Sequence, residues 1–323
     1  MTFTIPSEYH ERPLKVYLQV ALGLSSRLIA RLKATENGIL LDGMPVTVRA
    51  MLHEGSTLAL AIDTVNAPPS DIVATPLPLS LLYEDEHILV CNKPGDMPTH
   101  PSHGHYNDTL ANALAHYERT TAPARSFVFH PINRLDRNTS GVVLIARNAL
   151  AAQRLGEDMA SGRIRKAYLA LLCGVPPMKE GDIITGIRRR QASIIFREVC
   201  APDTPDAARA HTRYRVLHDW QSSAPLLPPR LSLVCAQPVT GRTHQLRLHF
   251  SHLGTPILGD DMYGNGALPA LMERQALHAA ALHFCHPISR RDMTVCAPLP
   301  DDMRALLPSC VENSLPLVEF FNQ

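Results

Sequence analysis

The chain has few aromatic side chains: Phe, Trp and Tyr make up 5% of its 323 residues, with Trp220 the single tryptophan. Its core must therefore be mainly aliphatic. The seven cysteines, at 91, 173, 200, 235, 285, 296 and 310, form no Cys-x-x-Cys pair. An odd, scattered set is a poor disulfide framework and points to a reducing compartment. Apolar runs are short, Gly141 to Ala146 being typical, far below the roughly 20 residues of a membrane span. The opening MTFTIPSEYHERPLK lacks the apolar stretch of a signal peptide. A soluble, cytoplasmic, monomeric protein is the expectation. Excess charge is also missing: 31 Lys and Arg face 30 Asp and Glu, which excludes a uniformly basic coat but not a local basic face. No GxxxxGK[ST] loop and no HExxH occurs, so neither a nucleotide nor a metal cofactor is expected.

What the chain has is proline, 27 residues of it, and 45% hydrophobic residues. From about Arg12 to Thr64 a small module is predicted. Leu14, Leu18 and Leu22 have helical spacing, and Ser25 or Ser26 would cap a second helix to Ala34. Arg27 and Arg31, four apart, share a helix face with Lys33 close by. Asp42-Gly43 between apolar stretches signals a two-residue hairpin. Asn66 to Pro78 carries four prolines and reads as an extended interdomain linker with few packing contacts across it. The domains are then 1–65, 66–78 and 79–323. In the last, Ile88–Cys91, Gly141–Ala146, Ala167–Leu172 and Leu231–Cys235 are strand-length apolar runs, while Thr109–Tyr117 and Leu150–Ser161 read as helices. This mixture predicts an α+β domain with a largely antiparallel sheet.

Four stretches carry chemistry. Asn133-Arg-Leu-Asp136-Arg-Asn-Thr-Ser-Gly141 sets one acid between Arg134 and Arg137 at the start of an apolar strand. Flanking positive charge favours a carboxylate, and by local pattern alone a structural Asp–Arg bridge fits as well. In Arg165-Lys166-Ala-Tyr168, Tyr168 is either a base-stacking ring or a strand tyrosine in the core. Thr240-Gly-Arg242-Thr-His244-Gln245-Leu-Arg247-Leu-His249 leads to His252 and then Gly259-Asp260 and Tyr263-Gly264. The histidine intervals of five and three do not make a zinc site. In Leu277-His278-Ala-Ala-Ala-Leu282-His283, a buried strand with satisfied histidines is expected. Between Met159 and Glu198 eight basic residues face three acids, whereas Asp292 to Gln323 carries five acids and Arg304. Such asymmetry suits docking to a phosphate backbone on one face.

Together these stretches resemble the RluA-like pseudouridine synthases, whose signature is His-Arg-Leu-Asp-Arg-x-Thr-Ser-Gly. Asn92-Lys-Pro upstream, Lys166-Ala-Tyr168 and the third and fourth stretches follow in that family's order, over about residues 80–300. Asn133 departs from the usual histidine, and Gly95-Asp96 from a small-residue pair. Arg188 to Arg209 matches no family motif, so target choice is sought there. The resemblance implies the pseudouridine synthase fold, an isomerase needing no cofactor or metal, and RNA as partner, with large-subunit rRNA first and tRNA second. Residues 1–65 resemble the ribosomal-protein-S-four-type RNA-binding domain, with Arg27, Arg31 and Lys33 on RNA.

By the same resemblance Asp136 is the nucleophile, Arg247 pairs with it, and Tyr168 stacks on the base. Arg134 fills the place of the extruded nucleotide or holds a phosphate. Arg137, His100, Thr139, Arg242, His244, Gln245 and Leu282 would complete the substrate site, and Arg165 and Lys166 would bind RNA. Two other classes remain at this level: a non-catalytic RNA-binding protein and a glycoside hydrolase. The first would not need Asp136, Tyr168 and Arg247 together. The second usually needs another carboxylate beside the first.

Overall fold

The computed structural model describes residues 1–62, 72–123, 127–191, 193, 195–222, 227–264 and 272–312. The proposed boundary at 65/66 lies outside them, as do the first residues of the linker and the tail from 313.

The N-terminal module contains β1 (Thr2–Thr4), α1 (Leu14–Val16, continued by a wide turn over Tyr17–Ala21), α2 (Ser26–Ala34), β2 (Ile39–Leu41), β3 (Met44–Pro45) and β4 (Thr57–Leu60). The sheet order is β1-β4-β2-β3. Ser25 Oγ accepts from Leu28 N–H at 3.2 Å and so starts α2. Asp42 and Gly43 both have positive φ, +50° and +80°, as a primed two-residue turn between β2 and β3 requires.

The larger domain runs β5 (Leu81–Glu84), β6 (Ile88–Lys93), α3 (Leu110–Thr121), β7 (His130–Pro131), β8 (Ser140–Ala146), α4 (Ala149–Ala160), β9 (Arg165–Cys173), β10 (Glu180–Arg189) and β11 (Arg197–Cys200). It continues with β12 (Ala208–Gln221), β13 (Arg230–Pro238), α5 (Gln245–His252), β14 (Leu277–Cys285), β15 (Asp292–Cys296), α6 (Asp301–Arg304) and α7 (Ser309–Glu312). Eleven strands make one sheet in the order β11-β10-β12-β13-β9-β14-β8-β6-β5, with β15 on β14 and β7 on β8. Every pairing is antiparallel except β14 with β8. At that parallel seam Gly141 has φ +117°, and a Cβ there would lie 2.2 Å from the carbonyl oxygen of Ala279. Only glycine lets the two strands close, and the loop before it is thereby brought beside β9 and β14.

The expectation of few contacts between module and domain is not met. Leu150 of α4 is buried within the module's own core, with Leu18, Leu22 and Ile29. The Gln153 side chain accepts from Ser25 N–H and donates to the Gly23 carbonyl, and Arg154 donates to the Leu22 carbonyl at 2.6 Å. A proline-rich connection limits contacts along itself, but it does not prevent the units it joins from packing by other surfaces. The described end of the linker is itself tethered, since Asn112 Nδ2 donates to the Val73 carbonyl.

Candidate active site

A cavity of about 480 Å³ opens at the parallel seam, within the range of small-molecule sites. Residues 132–136 and 139, the end of α4, Lys166 and Tyr168 of β9, the 238–247 segment and Leu277 line it. Asp136 comes from the turn entering β8, where Thr139 N–H donates to the Asp136 carbonyl at 3.0 Å. Thr99 Oγ1 pins the preceding residue, donating to the Leu135 carbonyl at 2.9 Å. Asn133, in place of the family's histidine, bonds β8 through both amide atoms, to the Val142 carbonyl and from Leu144 N–H.

The flanking arginines do not hold Asp136. Arg137 turns away to Asp96 at 2.5 Å, and Arg134 reaches Thr243 Oγ1 at 3.4 Å. Two groups from 108 or more residues further on approach the carboxylate instead. Arg247 Nη1 is 3.9 Å and His244 Nε2 4.0 Å from Asp136 Oδ2. The expected Arg247–Asp136 pair is thus a loose one. Arg247 is forked onto buried Asp260 at 2.8 and 2.6 Å, with Asp261 at 3.0 Å. Asp260 Oδ1 also accepts from Met262 and Tyr263 N–H, so the guanidinium is fixed by its own partner and offers one edge to the cavity.

His244 takes a left-handed backbone, φ +58°, a conformation a non-glycine residue keeps only where its surroundings demand it. Its Nδ1 is 2.8 Å from the Tyr263 hydroxyl, which itself accepts from Arg197 N–H. The Tyr263 hydroxyl is then assigned as donor and Nδ1 as acceptor, so the neutral ring carries its N–H on Nε2, toward Asp136. Burial lowers the pKa of this histidine, with Asp136 opposing the shift. Tyr168 is 9% exposed. Burial first, and the Asp136 charge second, push its hydroxyl pKa upward, so it stays a neutral O–H. Lys166 on the same wall has its pKa lowered by burial.

Other residues named from the sequence are placed elsewhere or are already occupied. Leu282 lies in the core with Ile88, Val142 and Leu155. Five residues deeper along β14 than the cavity, it serves packing, and Leu277 is the β14 leucine that faces the site. Gln245 has both amide atoms used: it accepts from Thr240 Oγ1 and Arg242 N–H and donates to the His211 carbonyl and Thr212 Oγ1. It shapes the 240–245 turn and has no amide hydrogen left for substrate. His100 is exposed and packs edge-on to Phe129 outside the cavity lining. Thr139 is buried in the lining and accepts from Gln275 Nε2. Arg242 stands exposed at the mouth, its Nε donating to the Arg209 carbonyl.

Arg165 is exposed at the start of β9, opposite His283. Arg27 and Lys33 are exposed on α2, and His130, on the strand leading to the Asp136 loop, has its pKa lowered by burial first and by the nearby Arg31 second. Asp260, Tyr263 and Leu277 lie within the motifs, but no role for them is legible from the sequence. Asp260 and Tyr263 enter the site by their contacts with Arg247 and His244, and Leu277 by lining the cavity. Among the described residues no three His, Cys, Asp or Glu side chains converge as a metal site needs. None of their helices is long and apolar enough to cross a membrane.

The sheet is that of an RNA-modifying isomerase: residues 87–252 match the RNA pseudouridylate synthase family, and the chain belongs to it. It is 36% identical over 288 residues to the uncharacterized RNA pseudouridine synthase YjbO of Bacillus subtilis, covering 88% of this chain and 95% of that one. It is 34% identical over 302 residues to the ribosomal large subunit pseudouridine synthase D of Xylella fastidiosa, covering 90% and 85%. Among solved structures, human RNA pseudouridylate synthase domain containing 1 superposes with a TM-score of 0.55 at 29% identity, over 68% of this chain and 83% of that one. The fold is accordingly the pseudouridine synthase fold, and the activity is isomerisation of uridine in RNA.

Proposed function

We propose that the chain isomerises uridine in large-subunit ribosomal RNA, with Asp136 as the reacting carboxylate. The observation that carries this is one carboxylate in a nucleoside-sized cavity, approached but not neutralised by Arg247 and His244, with Tyr168 in its wall. The rRNA assignment rests on the likeness to the ribosomal large subunit pseudouridine synthase D of Xylella fastidiosa.

The reaction breaks the bond from the ribose anomeric carbon to N1 and forms one to carbon 5. The carbon 5 proton leaves and N1 gains one, so electrons balance without a redox partner. Attack at the anomeric carbon, attack at carbon 6 and glycal formation all need a carboxylate at the base–sugar junction. The fixed edge of Arg247 and the His244 N–H stabilise negative charge there and orient the group. Tyr168 supplies a ring to stack on uracil, and because its hydroxyl stays protonated it can relay the carbon 5 proton only by passing its own proton on, not by acting as a phenolate base.

A uridine inside folded RNA must be extruded at a cost of a few kcal/mol. Arg134, exposed at the mouth and tied lightly to Thr243, is suited to stack in the vacated space or to bond a phosphate. Residues 1–62 act as an RNA-binding module, Arg27, Arg31 and Lys33 extending the basic surface toward the Asp136 loop.

The test is tritium release from RNA labelled at uridine carbon 5, followed by mapping pseudouridines in cells with and without the gene. Loss of one or more large-subunit rRNA sites on deletion is expected. Loss confined to tRNA sites would overturn the rRNA assignment, and no release from any RNA would overturn the activity in this chain.

A further inference from the structure

A second cavity, of about 1100 Å³, lies on the other side of the Asp136 loop. Arg137, Asn138 and Ser140 face it, whereas Asp136 and Thr139 face the first. Residues 134–140 are thus a partition between two hollows. The ionisable lining of the second balances, Lys93, Arg137, Arg274 and Arg304 against Asp96, Glu273, Asp301 and Asp302, so it has no bias toward an anion.

Two cations there grip the back of the partition. Arg274 Nη1 donates to the Asn138 carbonyl at 3.1 Å and to the Gln275 carbonyl at 3.2 Å. Its Nε and Nη2 fork onto Asp302 at 2.6 and 2.8 Å. Lys93, fully buried, donates to the carbonyls of Pro94, Met97 and Arg137 at 2.7, 2.7 and 2.9 Å. The carbonyls of the first and second residues after Asp136 are therefore held by separate cations. Gly95 leaves room for the arrangement, since a Cβ there would come within 2.6 Å of Arg274 Cδ and 2.8 Å of Nε. Neither cation lines the uridine cavity.

This matters because Arg247 and His244 stand no closer than 3.9 Å to the Asp136 carboxylate. Its position is set largely through the backbone of its loop. A displacement of 1 Å at a reacting group can cost on the order of 100-fold in rate. We infer that Arg274, oriented by Asp302, is a positioning residue that sets Asp136 against the uridine from behind. The inference rests on Asp136 being the reacting carboxylate. Arginine suits the task because one planar group forks a carboxylate while a further N–H reaches the carbonyls, whereas lysine offers a single nitrogen.

The experiment measures kcat and KM by tritium release from RNA of a gene-deleted strain, labelled at uridine carbon 5. It compares wild type, Arg274→Gln, Arg274→Lys, Asp302→Asn, Arg304→Gln and Asp136→Asn, each first shown to be folded by circular dichroism. Arg274→Gln is expected to lower kcat on the order of 10- to 100-fold with KM within about threefold, because no group in the uridine cavity changes. Asp302→Asn is expected to shift kcat in the same direction by less, and Arg274→Lys to recover part of the loss. Arg304→Gln, in the same cavity but off the loop, should match wild type. Should Arg274→Gln fail to fold, Asp302→Asn and Arg274→Lys carry the test. Wild-type kcat in the folded Arg274 and Asp302 variants overturns the inference, as does a rise in KM alone. If Asp136→Asn is inactive while the Arg274 variants are fully active, the assignment of Asp136 stands and the clamp falls. An active Asp136→Asn removes both.

Discussion

At the residue scale, Asp136 is placed between two groups able to carry positive charge, at 3.9 and 4.0 Å, and is fully claimed by neither. Arg247 cannot swing over to neutralise it, because Asp260 holds its other edge in a buried fork. Asp136→Asn removes the charge at nearly constant size. Turnover should fall by at least about 10²–10⁴-fold, the span for loss of a group that moves a proton in the transition state, and by more if the carboxylate bonds to the substrate, while RNA affinity stays near wild type. Tritium release together with a filter-binding titration checks both parts, and turnover within about tenfold of wild type would remove Asp136 from the mechanism. Tyr168→Phe keeps the ring and deletes the hydroxyl. If the hydroxyl relays the proton, the rate for bound RNA in a single turnover falls more than about tenfold with little change in affinity. If only the affinity changes, Tyr168 is a stacking residue and nothing more.

Among the elements, α4 does two jobs. Asn148 caps it by accepting from Ala151 N–H at 2.9 Å. One side covers β8 with Ala151 and Leu155, while Leu150 enters the module's core. Truncating a fully buried leucine costs about 2–5 kcal/mol. Leu150→Ala should therefore lower the urea midpoint and weaken the module's attachment, so that limited proteolysis separates module from domain sooner than in wild type. An unchanged midpoint and cleavage rate would show that Leu150 does not hold the two units together, leaving Ala149, Ile288 and the Gln153 and Arg154 hydrogen bonds.

For the whole molecule, two buried histidines tie stability to pH. Burial depresses His249, between the hydroxyls of Thr185 and Thr212, to about 4. It likewise depresses His278, beside Ser140 Oγ, to about 4. The unfolded chain binds protons at these side chains near pH 6.5. Between about 4 and 6.5 the unfolded state therefore carries more protons, and stability falls as pH falls through that window. At pH 5 unfolding should take up about one proton for each of the two, a slope of about 1.4 kcal/mol per pH unit apiece. Urea midpoints at several pH values measure this, and His249→Gln should remove about one proton from the slope. A slope unaltered by that substitution would mean His249 is not neutral in the native state.

Local pieces were legible in the chain alone. Ser25 as a cap and Asp42-Gly43 as a turn follow from backbone sterics and hydrogen bonding over a few positions, whereas Asn148 as the cap of α4 and the parallel seam that only Gly141 can enter came from the packed sheet. The ordered motifs also named Asp136, Tyr168 and Arg247 as residues of one site, since each motif travels as a short linear unit. Orientation was not legible. Arg134 and Arg137 flank Asp136 in the chain yet turn to Thr243 and Asp96, while Arg247 and His244 reach it from more than 100 residues away. Leu282 looked like part of a site motif and went to the core, and Leu150 looked like an ordinary helix residue and joined two domains. Which way a side chain faces depends on strand register, on burial and on partners such as Asp260 and Asp302. Those are settled only when distant segments pack together, where the free energy of a contact no longer depends on separation along the chain.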